Sequence, residues 1–259
     1  MNKYEGQNVK LAYREMGEGK TVILVHGFCG SKDYWTEVQE RLSQSFHVIA
    51  VDVRGHGDTQ STEIGYSIHD MAEDLFLFYK EKKLQDTYLF GHSMGGYITL
   101  DFAKNHPDLL QGFGIVHSTA NPDSEEAKEK RTVNATNVEK QGLIYLLKDL
   151  IPGLLSKDKQ QREMLEELIA IGKQTAPSGA IGALMAMKNR PDYNQVLEDT
   201  KLPVLLVAGA KDDLMPPEKV FSVHSNQITS VVIAEAGHMG MKETPEQMTE
   251  VITEFVMGH

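Results

Sequence analysis

The feature that most constrains the fold is a series of short apolar runs that alternate with segments of helical spacing. Each run has four to six residues, is rich in β-branched and aliphatic side chains, and does not alternate with polar residues. Such runs are typical of strands buried on both faces. The runs occupy residues 21–25, 47–51, 87–90, 112–116, 204–208 and 230–234. Their alternation with helices predicts a mainly parallel sheet with helices on both faces.

The segments between the runs place apolar residues at helical intervals. Ser67 directly precedes one of these segments and can cap it, because a serine side chain accepts a hydrogen bond from the first helical turn. Residues 9–13 predict an antiparallel edge strand. The fold class is therefore α/β, a doubly wound and mostly parallel sheet of about eight strands. Helices are predicted at residues 34–42, 68–79, 94–105 and 245–257.

The alternation of strands and helices stops between the runs at 112–116 and 204–208. The intervening residues contain several charged and aliphatic helical patterns but no strand pattern. We therefore predict a helical insertion at residues 120–199 and a core formed by residues 1–119 and 200–259. An insertion of this size over the edge of a sheet is suited to act as a cap or lid over a site.

Composition excludes several classes of function. The chain has 26 Lys and Arg against 37 Asp and Glu, a net charge of −11, and it lacks the clustered cations that a nucleic-acid partner requires. The single cysteine, Cys29, rules out an intrachain disulfide framework and a cysteine-rich metal site. Residues 1–10 have no apolar run of the secretory kind, and no stretch approaches the roughly 20 apolar residues of a membrane span. The expected location is cytoplasmic.

The sequence GHSMG at residues 91–95 is the first that carries chemistry. It follows an apolar run and opens a helical pattern, and G-x-S-x-G between a strand and a helix is typical of a nucleophile held in a sharp turn. Such a turn presses its backbone against neighbouring segments, so glycine is required two residues before and two residues after the serine. We predict that Ser93 is a nucleophile whose Oγ lies above the sheet, near a helix N-terminus.

A serine nucleophile needs a base, and an acid that orients the base. Asp212 and Asp213 follow the fifth apolar run, and His238 follows the sixth. Both loops therefore lie at the carboxyl ends of strands, where open parallel sheets bind ligands. His238 is the predicted base, which accepts the Ser93 proton. Asp212 is the predicted acid, and Asp213 is the alternative at this turn.

Two backbone N–H groups are placed to bind a developing oxyanion. Phe28 lies just after the first apolar run, where Gly27 lets the chain turn back across the edge of the sheet. Met94 follows the predicted nucleophile and begins a helix. Two such donors typically stabilise a transition state by a few kcal/mol.

Other residues of these loops have structural interpretations. Asp52 and Arg54 are expected to pair their charges after the second run. A thiol nucleophile at Cys29 is unnecessary beside the predicted serine. No phosphate-binding glycine motif follows a strand, and no metal-ligand spacing occurs, so neither a cofactor nor a metal ion is expected. Three motif histidines are expected to hydrogen-bond the crowded loops: His26, His56 and His92.

These motifs together resemble the α/β-hydrolase fold with a helical cap. The resemblance covers essentially the whole length, in the family's order: HGF, DVRGHG, GHSMGG, and the GAKDD and AGHM turns after the last two strands. It implies a triad of Ser93, Asp212 and His238, with the N–H groups of Phe28 and Met94 as oxyanion donors.

Two segments refine the resemblance. The family's other position for the acid, at residues 117–120, reads HSTA and has no carboxylate, which favours Asp212. Residues 119–131 and the sequence RPD at residues 190–192 are similar to enol-lactone hydrolases and small carboxylesterases.

The predicted function is hydrolysis of a small-molecule carboxylic ester or lactone through an acyl-enzyme on Ser93. Arg131, Arg190 and Met239 are candidates to contact the substrate, and the apolar residues 142–155 predict a hydrophobic acyl or alcohol site. One alternative is a carbon–carbon bond hydrolase or lyase that uses the same triad as a base. The other is a small-ligand-binding or regulatory protein with incidental turnover. The sequence makes no prediction of the oligomeric state.

Overall fold

The computed structural model describes residues 9–59 and 65–259. Within those ranges, seven strands form one sheet in the order β1-β3-β2-β4-β5-β6-β7. Only β1 is antiparallel to its neighbour, so the sheet is mostly parallel, as predicted. The strands are β1 (Tyr13–Met16), β2 (Thr21–Val25), β3 (His47–Val51), β4 (Thr87–His92), β5 (Leu110–Val116), β6 (Val204–Gly209) and β7 (Ile228–Ile233).

The central strands coincide closely with the apolar runs. β2 and β3 have the predicted bounds, and every residue of β4 and β6 is buried. Continuous apolar sequence marks these strands because both of their faces are covered. At the edge, β7 is largely exposed and starts at Ile228, two residues before its predicted start.

The first strand differs from its prediction. β1 pairs Tyr13 with Val51 and Met16 with Val48, whereas residues 9–13 were the predicted edge strand. Just before β1, the Ala12 carbonyl still accepts the Asp52 N–H next to β3, but the Ala12 N–H donates to Thr59 Oγ1 at 2.8 Å. The seven strands in the described ranges are one fewer than the eight expected. Residues 1–8, which bear on the predicted lack of a secretory signal, lie outside those ranges.

Eleven α-helices lie in the same ranges, and they cover both faces of the sheet. α1 packs against α11, and α2 packs against α3. The Ser67 hydroxyl caps α2 by accepting the Asp70 N–H, and the Asp70 carboxylate accepts the Ser67 N–H in return. None of these helices combines the length and the hydrophobicity needed to cross a membrane. The helices are α1 (Thr36–Leu42), α2 (Ile68–Lys82), α3 (Met94–Asn105), α4 (Glu125–Gln141), α5 (Leu143–Leu150), α6 (Arg162–Gly172), α7 (Pro177–Lys188), α8 (Asn194–Asp199), α9 (Pro217–Val220), α10 (Gly240–Glu243) and α11 (Pro245–Gly258).

The helical insertion, residues 120–199, contains α4 to α8 between β5 and β6. It meets the loop after β3 through two glycines. A Cβ on Gly179 would collide with the Gly55 carbonyl, and the same carbonyl accepts the Ala176 N–H at 3.0 Å. The Tyr66 hydroxyl donates to Gly179 O at 2.7 Å. The division of the chain into a core and a separate cap stays a prediction.

Candidate active site

Ser93 lies at the turn between β4 and α3 in a strained backbone conformation. Its φ is 50° and its ψ is −113°, a combination that non-glycine residues rarely adopt and that costs about 1–3 kcal/mol. A Cβ at Gly91 would overlap the Gly95 carbonyl, and a Cβ at Gly95 would lie 2.5 Å from Val25 O. Glycine is therefore required on both sides of the serine, as predicted from the sequence.

Asp212 and His238, on the loops after β6 and β7, share a buried hydrogen bond. His238 Nδ1 lies 2.8 Å from Asp212 Oδ2, and Asp212 Oδ1 accepts the N–H groups of Leu214 and Met215. Burial alone would raise the pKa of Asp212, but His238 and His117 hold that pKa well below its usual range. Asp212 is thus an ionised acceptor, which favours the His238 tautomer with its proton on Nδ1 and a lone pair on Nε2.

Glu243 holds the loop that carries His238, and sequence reasoning missed it. Its buried carboxylate accepts the N–H groups of Gly237 and Met239, and both the N–H and the hydroxyl of Ser156. Because Ser156 belongs to the helical insertion, one carboxylate joins the insertion to the loop of the base. The only sequence signal was a glutamate five residues after the histidine. That spacing indicates a contact only when the chain after His238 is known to fold back onto the loop.

Two further hydrogen bonds fix the backbone of His238. Its N–H donates to Leu154 O at 3.0 Å, and its carbonyl accepts from His92 Nε2 at 2.9 Å. His26 and His56 also hydrogen-bond backbone groups of the site loops. The structural role predicted for the three motif histidines therefore agrees with the structure.

A cavity of about 190 Å³ opens beside Ser93 and His238. Helix α4 supplies a polar side to it through Lys130, Arg131 and Asn134. The remaining wall is mainly apolar, and the helical insertion contributes much of it. On the polar side, the guanidinium of Arg131 is ion-paired with Asp123. The apolar residues contributed by the insertion include Leu146, Leu150, Leu154, Leu184 and Met187.

The two predicted oxyanion donors lie at the start of α3 and after β2. Met94 is the first residue of α3, so its N–H has no partner within the helix. Neither that N–H nor the N–H of Phe28 donates to any residue in 9–59 or 65–259. The Phe28 side chain lines the cavity. Neither N–H group therefore has a protein acceptor within these ranges.

Of the three predicted substrate contacts, only Arg131 lies among the residues that line the cavity, and its guanidinium is ion-paired with Asp123. Arg190 is buried instead: its guanidinium donates to Asp123 Oδ1 at 2.6 Å and lies 3.9 Å from the centre of the Tyr97 ring. Met239 is fully buried, and its N–H is bound to the Glu243 carboxylate. The prediction that Arg190 and Met239 contact the substrate is therefore wrong. The Arg190 side chain is already paired and packed, and Met239 is buried with its N–H hydrogen-bonded.

The expected charge pair between Asp52 and Arg54 was wrong. Asp52 accepts from the Lys32 ammonium at 2.8 Å and from the Lys32 N–H. Arg54 forms a buried ion pair with Asp74 of α2, with 2.5 Å between Nε and Oδ2. Asp52 and Arg54 therefore bind different parts of the chain and not each other. The spacing of the two residues in the sequence does not reveal these partners.

Cys29 is fully buried, and burial raises the pKa of its thiol well above the ordinary value. A buried, protonated thiol is a poor nucleophile. In the described part of the chain, no three His, Cys, Asp or Glu side chains are grouped so that they could hold a metal ion.

Comparisons with known proteins agree with this architecture. Residues 20–245 match the family model described as the alpha/beta hydrolase fold. A thermophilic esterase from Thermogutta terrifontis, solved with malate bound, is 32% identical with a TM-score of 0.92, and the match covers 96% of this chain and 94% of that one. The enol-lactonase of Burkholderia xenovorans LB400 shares the fold at 22% identity and a TM-score of 0.88, over 96% of this chain and 97% of that one.

A longer relative is the dihydrolipoyllysine-residue acetyltransferase component of the acetoin cleaving system of Pseudomonas putida. It is 26% identical over 252 residues, which cover 94% of this chain but 65% of that protein. The chain thus spans slightly less than two thirds of that relative's length. The family model covers most of the chain, and the esterase matches nearly all of it, so the resemblance to this fold is confirmed. The chain belongs to the alpha/beta hydrolase fold family.

Proposed function

We propose that the protein is a serine hydrolase that cleaves a carboxylic ester or lactone of a small molecule through an acyl-enzyme on Ser93. One observation carries the proposal. Ser93 and His238 line the same cavity, and His238 Nδ1 is 2.8 Å from the buried carboxylate of Asp212. A serine, an imidazole and a carboxylate in this order form the machinery of acyl transfer on several unrelated folds.

The reaction follows from the roles of these groups. Ser93 Oγ attacks the carbonyl carbon while His238 Nε2 takes its proton, and Asp212 stabilises the imidazolium that forms. The N–H groups of Phe28 and Met94 bind the oxyanion. His238 then protonates the leaving alkoxide, so that the acyl group stays on the serine. Water, activated by the same imidazole, attacks this ester and releases the acid. No cofactor takes part.

The cavity supports a small and largely apolar substrate. Its volume of about 190 Å³ lies below the usual range of drug-sized sites. Leucines of the helical insertion form much of its wall, so the insertion acts as a cap that selects the acyl or alcohol group. This agrees with the hydrophobic site expected at residues 142–155.

The test is burst kinetics with p-nitrophenyl acetate and butyrate. Wild type should release one equivalent of p-nitrophenol in a burst and then turn over, and S93A should show neither. Asp212→Asn should lower kcat by about 10³–10⁴-fold, as expected when the tautomer of the base is lost. The matched control is Asp213→Asn, which changes an exposed neighbour and should stay close to wild type. Absence of both a burst and steady turnover in wild type, or turnover that S93A retains, would contradict the proposal.

A second candidate function is carbon–carbon bond hydrolysis or a lyase reaction in which His238 acts as a base. The observation in its favour is the polar side of the cavity, where Lys130 suits a conjugated, acidic substrate, whereas Arg131 beside it is ion-paired with Asp123. Turnover of such a substrate by S93A, without an acyl-enzyme from simple esters, would favour it. Strong thermal stabilisation by a ligand that is not turned over would instead favour the binding-protein alternative.

A further inference from the structure

His117 follows β5 and contacts the carboxylate of Asp212. Its side chain is fully buried, and its Nδ1 lies 3.5 Å from Asp212 Oδ2. That separation is longer than an ordinary N–H···O hydrogen bond. Among the described residues, neither ring nitrogen of His117 has a hydrogen-bond partner. His117 is the first residue of the HSTA sequence, which is the family's other position for the acid. The absence of a carboxylate there favoured Asp212 as the acid.

The backbone of His117 is in a strained conformation. Its backbone has a φ of 48°, in the left-handed region where glycine or asparagine is easier to accommodate. A Cβ on Gly240 would overlap His117 Nε2, so the loop of the base has glycine where the imidazole packs. Strained and buried polar residues of this kind concentrate at functional sites.

Four titratable side chains, each on a different element, face His117. They are Asp212 after β6, His238 after β7, His92 at the end of β4, and Glu243 in α10. Burial lowers the pKa of His117, so the ring is neutral at physiological pH. A neutral ring has one proton and one lone pair. With the proton on Nδ1, its dipole points at the Asp212 oxygen, whereas the other tautomer would bring a lone pair against a carboxylate.

We propose that His117 is a positioning residue for the acid of the triad: its Nδ1–H is directed at the same Asp212 oxygen that accepts the proton of His238. The inference rests on the proposed function. Sharing Oδ2 between two imidazoles orients the carboxylate and withdraws part of its charge from His238. The imidazolium that forms during the reaction is then less stabilised than it would be beside Asp212 alone.

The test uses two amides that copy different ring nitrogens. In His117→Asn the amide nitrogen takes the place of Nδ1, and in His117→Gln it takes the place of Nε2. Asn also tolerates the left-handed backbone. We expect the acidic limb of the kcat/KM profile to move up by roughly half a pH unit in H117Q and H117A, and to stay near wild type in H117N. We also expect kcat to fall on the order of tenfold in H117Q and H117A, because the carboxylate that orients the His238 ring is no longer held in place.

Two NMR measurements on ¹⁵N-histidine-labelled protein are independent of turnover. The first follows the titration midpoint of the His238 ring in each variant, which should shift as the acidic limb does. The second identifies the tautomer of His117 in wild type and requires no variant to fold. Protonation at Nδ1 is the expected result, and protonation at Nε2 would overturn the proposal.

Equal titration midpoints in H117N, H117Q and wild type would also overturn it, since His117 would then only fill space. Failure of the proposed function would look different. Wild type would show no burst with any ester, while the tautomer and the titration would still report on His117. A shifted midpoint in an enzyme with no esterase activity would support the contact and reject the hydrolase.

Discussion

Replacing Glu243 by glutamine tests how the loop of the base is held. The carboxylate accepts four hydrogen bonds, three at Oε2 from Gly237 and Ser156 and one at Oε1 from Met239. A glutamine has one oxygen. In its better orientation the oxygen keeps the three bonds, and the NH₂ group faces the Met239 N–H. One buried donor is then unpaired, which costs about 1–3 kcal/mol, and three bonds lose the added strength of a charged acceptor.

Together, the unpaired donor and the three weakened hydrogen bonds should lower the free energy of unfolding by about 3 kcal/mol. For a chain of this size, that corresponds to a fall in Tm of about 6–12 °C. Urea unfolding and calorimetry measure both quantities. Glu250→Gln is the matched control, because this exposed glutamate lies in α11 and its replacement should change stability by less than about 0.5 kcal/mol. If E243Q were as stable as E250Q, the bonds from the carboxylate to the loop and the insertion would not contribute as we argue.

Three further predictions follow from burial and from the cavity wall. Burial lowers the pKa of His56 to about 3, so the unfolded chain binds a proton that the native state excludes. Lowering the pH from 7 to 5 should therefore remove about 2 kcal/mol of stability through this residue, and His56→Gln should flatten that part of the stability–pH curve in urea unfolding. Leu150→Ala should raise kcat/KM for p-nitrophenyl octanoate relative to acetate on the order of tenfold. Leu143→Ala, a buried change in the same helix but off the cavity wall, should leave this ratio unchanged, and an unchanged ratio in both would reject the hydrophobic acyl site. The Cys29 thiol should react with a disulfide reagent at least about a hundredfold more slowly in native than in urea-unfolded protein, and fast native labelling would show that it is accessible.

The strands at the centre of the sheet were predictable because burial on both faces demands unbroken apolar sequence. The bounds of β2 and β3 therefore came directly from the runs. At the edge of the sheet this requirement disappears, and β1 was placed too early. The loops of Ser93, Asp212 and His238 were predictable for a related reason. Parallel strands bring their carboxyl ends to one edge, so polar residues that follow them in sequence meet in space.

Residues that act through partners far away in the chain were not predictable. Glu243 binds Ser156 of the insertion, and His117 meets a carboxylate on another loop. Arg190 illustrates the opposite error. Its charge resembled that of a substrate contact, but the folded chain buries it against Asp123. The sequence identifies the chemical groups of a side chain. The role of those groups depends on the residues that contact them in the folded protein.

The contact between Gly55 and Gly179 limits how such an insertion can be exchanged between relatives. Two backbones meet there without side chains, and even a methyl group on either one would collide with the other. A chimera that received residues 120–199 from another family member would need a glycine at the position of Gly179, whatever side chains lined its cavity. Recombination of substrate preference within the family is therefore restricted by a pair of residues that do not line the cavity beside Ser93, and a designed library should hold both constant.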